Sequence, residues 1–218
     1  MRGIAAILAK SFGLPVPHRV TVYVYGGRRA FEQGLIQDAR VSPVLAAELS
    51  DFAIGVGARG QVLLNDAAQG APRRTDREWL RLIAHELTHV SQIELAGGEG
   101  RGEQWLAEGM AGRRRLTATA GMRRHTRLFQ DGLDLEARGT PRGFAAWHVR
   151  EGALPTYQLA FLMADYLIER RGLDRMTAYF ASFKDSADRR ANFQSSFSGN
   201  IADFETDVIA HLKTASAL

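Results

Sequence analysis

The hydrophobic spacing of this chain changes character at the Gly-Ala-Pro break of residues 70–72, beyond which no alternating segment is read, and that change limits the folds open to it. Upstream, Arg19 to Tyr25 alternates Val20, Val22 and Val24 with Thr21, Tyr23 and Tyr25, a period of two rich in β-branched and aromatic residues that predicts a strand. Phe52–Val56 and Gln61–Leu64 flank Gly57-Ala58-Arg59-Gly60 and predict a hairpin with a four-residue loop. Arg2 to Phe12 reads as a short amphipathic helix that stops at Gly13, with Pro15 and Pro17 barring its continuation, and weaker helical signals cover 28–34 and 43–50. Downstream of the break nearly every segment is spaced as a helix. Thr75 with Glu78 matches a capping box and opens a helix through Trp79, Leu80, Ile83, Leu87 and Val90 to about Leu95. A glycine-rich run ends it, a second helix with Trp105, Leu106 and Met110 starts near Glu103, and further helices are expected over about 156–171, 174–184 and 201–212, the last capped by Asn200. The expected fold class is α+β, a single domain over 1–218. A small N-terminal lobe with a mixed β-sheet (about 1–70) is followed by a mainly helical lobe (about 71–218).

Composition narrows the chemistry. There is no cysteine, so disulfide scaffolds, cysteine zinc sites, iron–sulfur clusters and thiol nucleophiles are excluded. Any metal must be held by His, Asp or Glu, and the histidines are six: His18, His85, His89, His125, His148 and His211. The 25 Arg, 3 Lys and 24 acids leave a formal charge of only +4, too mild for a phosphate-binding surface, so no nucleic-acid partner is expected. The longest uncharged, apolar-leaning run, Gly152–Ala164, has 13 residues, short of the roughly 20 that cross a bilayer, so no transmembrane segment is expected.

Two of the six histidines stand in His85-Glu86-Leu87-Thr88-His89, an H-E-x-x-H pattern inside the first long helix. At about 100° per residue they lie about 40° apart on one face, so both imidazoles can reach one ion, while Glu86 sits on the flank of that face, able to address a water without ligating. The apolar set Trp79, Ile83, Leu87 and Val90 points roughly the other way. With six His and twelve Glu in 218 positions, the pattern is expected by chance about 0.01 times per chain. The bland alternative is two histidines on an exposed face. Zinc also needs a third protein ligand and an open position for water. Glu108, in Trp105-Leu106-Ala107-Glu108-Gly109-Met110-Ala111, follows His89 by 19 residues, which lets a second helix pack back and present a carboxylate to the same ion. Gly109 and Gly112 would permit close approach at that crossing. By itself Glu108 would be an ordinary surface acid.

H-E-L-T-H-V followed by W-L-A-E-G-M-A resembles the gluzincin zinc metallopeptidases, most closely the peptidase MA-like group, which is related to the thermolysin and zinc aminopeptidase families. The motif pair covers 24 residues from His85 to Glu108, and a looser likeness extends over roughly Arg19 to Leu212. The resemblance implies a zincin-type helical lobe with Zn²⁺ between it and the sheet lobe, and a peptide or protein substrate. It implies His85, His89 and Glu108 as metal ligands and Glu86 as the catalytic base. It assigns to Gln61, Val62, Leu63 and Leu64 the edge strand that holds the substrate main chain by β-augmentation. It also places Tyr157, near the start of a helix, as a donor to the oxyanion, where the plain alternative is a packed tyrosine. His148, beside Trp147, is a weaker candidate for the same task. The Gly-x-Met-Glu-Asn signature by which zinc aminopeptidases grip a free amine is missing, which points to endopeptidase activity. Met110, Ala111 and Gly112 offer no acid to orient the histidines.

Two other readings stand beside this one. A zinc-containing binding or assembly factor of the bacterial envelope could keep the ligands without cleaving, although such a site has no use for Glu86. A DNA-crosslink protease of the SprT-like type also carries H-E-x-x-H, but such proteins usually take a third histidine and many add a cysteine zinc ribbon. Arg113 to Arg127 holds six arginines, His125 and no acid; a solvated helix and loop is the expected reading, ahead of a site for an anionic partner.

Overall fold

The computed structural model of the protein describes residues 2–67, 74–98, 102–116 and 153–215. The chain divides into two compact units, Met1–Gly100 and Arg101–Leu218.

The first unit runs α1 (Arg2–Phe12), β1 (Thr21–Tyr25), α2 (Arg28–Gln37), α3 (Pro43–Phe52), β2 (Gly55–Ala58), β3 (Gln61–Asn65) and α4 (Asp76–Leu95). Helix α1 stops at Gly13, whose φ of 58° is the left-handed conformation glycine adopts at helix ends. Ser42 caps α3 by accepting from the Leu45 N–H, with Pro43 in the first turn. The strands form one mixed sheet in the order β1-β3-β2. β1 runs parallel to β3, Val22 facing Val62, and β2 runs antiparallel to it, Gly57 facing Val62. The hairpin closes over Arg59 and Gly60 alone, because Ala58 pairs with Gln61. Gly57 and Ala58, expected in the loop, belong to the strand; Gly60, at φ 67°, supplies the tight turn.

Alternation along β3 sends its side chains to two faces. Leu63 joins Phe31, Leu35 and Ala46 in a buried cluster built with α2 and α3, to which Tyr23 and Tyr25 add their rings. Val62 and Leu64, cross-strand from Gly57 and Gly55, lie on the opposite face, where α4 packs on β2.

This topology corrects the role expected for Gln61, Val62, Leu63 and Leu64. They form the central strand, with main-chain hydrogen bonds on both sides, and Val62, Leu63 and Leu64 are buried. A strand paired on both edges has no groups left for a substrate main chain. Among the described strands, β1 and β2 are the two edges of the sheet, and α4 packs on β2.

The second unit contains α5 (Gln104–Leu116), α6 (Ala153–Arg171), α7 (Leu173–Ser182), α8 (Arg189–Phe197) and α9 (Ile201–Ala215). The sequence reading lacked α8, a short and largely polar helix, yet its signal is present: the Asp188 carboxylate accepts from the Arg190 and Ala191 N–H groups at 3.0 Å each. Asn200 caps α9 as expected, accepting from Asp203 N–H at 2.8 Å. The core is aromatic. Tyr179 is fully buried among Phe180, Phe183, Phe193 and Phe197, its hydroxyl accepting the Glu103 N–H at 3.0 Å, and Trp105 stacks on Phe204 at 5.5 Å. Gly109 does provide a close helix crossing, but with α6: a Cβ there would run into the Ala160 carbonyl oxygen and stand 2.6 Å from the Ala164 Cβ. Among the described residues no helix is long and apolar enough to cross a membrane.

Candidate metal centre

Helix α4 begins at the expected capping box. The Glu78 N–H donates to the Thr75 hydroxyl oxygen at 3.4 Å, while the Thr75 N–H and hydroxyl donate to the Glu78 carboxylate at 2.8 and 2.9 Å. The Thr75 backbone N–H first, and its hydroxyl second, hold the Glu78 carboxyl below its ordinary range. The middle of α4 is buried on more than its apolar side: Leu87 and Val90 are joined by Glu86, Thr88, Ser91 and Gln92. Thr88 and Ser91 satisfy their hydroxyls within the helix, on the Ala84 and Leu87 carbonyls at 2.9 Å each. Leu80, in the helix by its spacing but not in the apolar set, is 55% exposed.

His85 and His89, one turn apart, meet edge to face with ring centroids 4.7 Å apart and Nε2 atoms 3.1 Å apart. Two Zn–N bonds of 2.0–2.1 Å at a tetrahedral angle would hold their nitrogens about 3.3 Å apart, so the pair is spaced for one ion. An N–H···N hydrogen bond is the plain alternative at this distance. The other nitrogen of His89 fixes its tautomer, which serves either arrangement. Nδ1 lies 2.9 Å from the Gln92 side-chain oxygen, and an Nδ1–H donating there leaves the Nε2 lone pair for a metal. Gln92 is the orienting partner that the sequence reading did not find. It sits three residues after His89 on the same helix face, a spacing legible in the sequence.

Glu86 is only 4% exposed. Its carboxylate lies against Gly55 of β2, where a Cβ would approach Oε1 to 2.8 Å. Glu108 is carried by α5 in the second unit, on a helix anchored by buried Trp105, Leu106, Met110 and Ala111. His85, His89 and Glu108 form a group that could hold a metal ion, each offering one ligand atom. Two imidazole nitrogens and a carboxylate oxygen are a donor set that suits zinc at a catalytic site.

Tyr157 falls on α6, but its side chain lies outside the described residues, as do His148, His125 and the stretch from 117 to 127. No family model, curated protein or solved structure matches the chain.

Proposed function

We propose that the protein is a zinc-dependent metallopeptidase of the gluzincin type that cleaves internal peptide bonds, with His85, His89 and Glu108 holding the metal. The observation that carries this reading is the convergence of the His85 and His89 Nε2 atoms at 3.1 Å, with a buried carboxylate next to His85 in the chain. A structural zinc site is closed by four protein ligands and needs no general base. Zinc bound here would lower the pKa of water toward neutrality and polarise a scissile carbonyl. Glu86, through its carboxylate oxygens, accepts the proton of the attacking water and returns it to the leaving amine. Gln92 keeps the His89 ring turned so that Nε2 remains a ligand. Tyr157 is assigned the hydrogen bond to the developing oxyanion through its phenol. Since β3 is paired on both sides, the described edge strands are β1 and β2, and the extended substrate is assigned to β2, the edge strand packed on α4.

Metal removal tests this reading. A chelator should abolish cleavage of a peptide library, and one equivalent of zinc per chain should restore it. Cleavage that survives complete removal of zinc would rule the proposal out. Zinc bound at one per chain with no peptide cleaved would move the assignment to the silent binding factor.

A further inference from the structure

Strand β2 carries glycine at alternate positions, Gly55 and Gly57, although glycine weakens a strand interior relative to alanine. Both point to the face packed against α4, and each meets a different part of that helix. A Cβ on Gly55 would stand 2.8 Å from Oε1 of Glu86 and 3.0 Å from its Cδ and Cγ. A Cβ on Gly57 would collide with the Glu86 carbonyl oxygen and stand 2.8 Å from the Cβ of His89. One glycine therefore borders the side chain of the proposed base. The other borders the backbone that carries a proposed ligand.

We propose that β2 is a positioning strand: Gly55 leaves the space in which the Glu86 carboxylate is held, and Gly57 sets how closely the His89 backbone approaches the sheet. The role given to Glu86 rests on the hydrolase reading; the two contacts do not. The two positions differ in what can yield. At Gly55 the obstacle is a flexible side chain, so an added methyl displaces the carboxylate while the fold survives. At Gly57 the obstacle is backbone, so an added methyl displaces the helix.

The test compares Gly55→Ala and Gly57→Ala in the zinc-loaded full chain, and Gly55→Ala again on a Glu86→Asp background. Zinc Kd is measured by competition with a chromogenic chelator, and kcat and KM on a peptide that the native protein cleaves. Gly55→Ala should keep zinc Kd within about threefold and KM unchanged, while kcat falls roughly 10- to 100-fold, the scale of a catalytic group misplaced by about 1 Å. Gly57→Ala should weaken zinc by about tenfold or more, or fail to fold, either result marking a displaced helix. Because aspartate is one methylene shorter, Gly55→Ala should cost less kcat on that background than in the native chain. Native kcat in Gly55→Ala, equal losses of kcat and zinc affinity, full additivity with Glu86→Asp, or native zinc affinity in Gly57→Ala would each overturn the inference. If the native protein binds zinc and cleaves no peptide, the hydrolase reading fails separately. The inference is then decided by the carboxyl ¹³C resonance of Glu86 in labelled protein: a shift in Gly55→Ala upholds it, and an unmoved resonance overturns it.

Discussion

The two ring nitrogens of His89 face different partners, Gln92 at Nδ1 and His85 at Nε2. That division of labour makes Gln92 the residue whose removal acts on the metal without removing a ligand. Gln92→Ala is expected to weaken zinc roughly 10- to 100-fold, as loss of an outer-shell partner does, and chelator competition would measure it. Unchanged affinity would show that Gln92 does not hold the ring. The ligand candidates were legible because an i, i+4 pair on a helix is fixed by the helix itself. The orienting partner is harder to read, because residues 110–112 after Glu108 offer no acid and the group in contact with the ring is an amide one turn further along α4. Tyr157 was legible as lying near a helix start, and nothing in its spacing says where its phenol points.

At the scale of single elements, α4 depends on its first turn. Thr75→Ala removes the hydroxyl half of the capping box and keeps the backbone N–H that donates to Glu78, and a fall of about 2 to 4 °C in Tm is expected, measurable by circular dichroism. The pH dependence follows from the direction of the Glu78 shift. A carboxyl held below its ordinary value when folded contributes stability that is present above its unfolded pKa. That contribution is lost as pH falls through the folded one. The backbone N–H, which Thr75→Ala keeps, supplies the larger part of that shift and the hydroxyl the smaller. The difference in Tm between native protein and variant should therefore narrow only in part on acidification, and a difference that widens would contradict this. Helix α5 depends on Gly109. Alanine improves helix propensity there, but its methyl meets the Ala160 carbonyl oxygen, which a rotamer change cannot move. Gly109→Ala should destabilise by about 1 to 3 kcal/mol in urea unfolding, and a gain in stability would show that the crossing can open. Most elements followed from period and caps. The hairpin register did not, because Gly57 reads as a turn residue when its missing side chain in fact admits a helix. Strand order was also out of reach: β1 and β3 pair in parallel across two intervening helices, a contact without local signature.

On the scale of the whole molecule, every described strand precedes the break at 70–72, together with three helices, yet the compact units divide at Gly100, because α4 packs on β2 in the first of them. The zinc proposal makes a global prediction. A ligand that binds only the folded protein stabilises it by mass action, about 2.7 kcal/mol at 100 times Kd, so zinc should raise Tm in native protein. It should do the same in Glu86→Gln, which keeps every proposed ligand. His89→Ala should lose the rise, and an equal rise there would place the metal elsewhere.

The most direct measurement of the central claim pairs zinc content with peptide-library cleavage in native protein and in Glu86→Gln. The account predicts one zinc per chain in both, cleavage by the native protein, and none above background in the variant. Cleavage retained by zinc-loaded Glu86→Gln would contradict it, because the buried carboxylate beside His85 would then have no part in the chemistry.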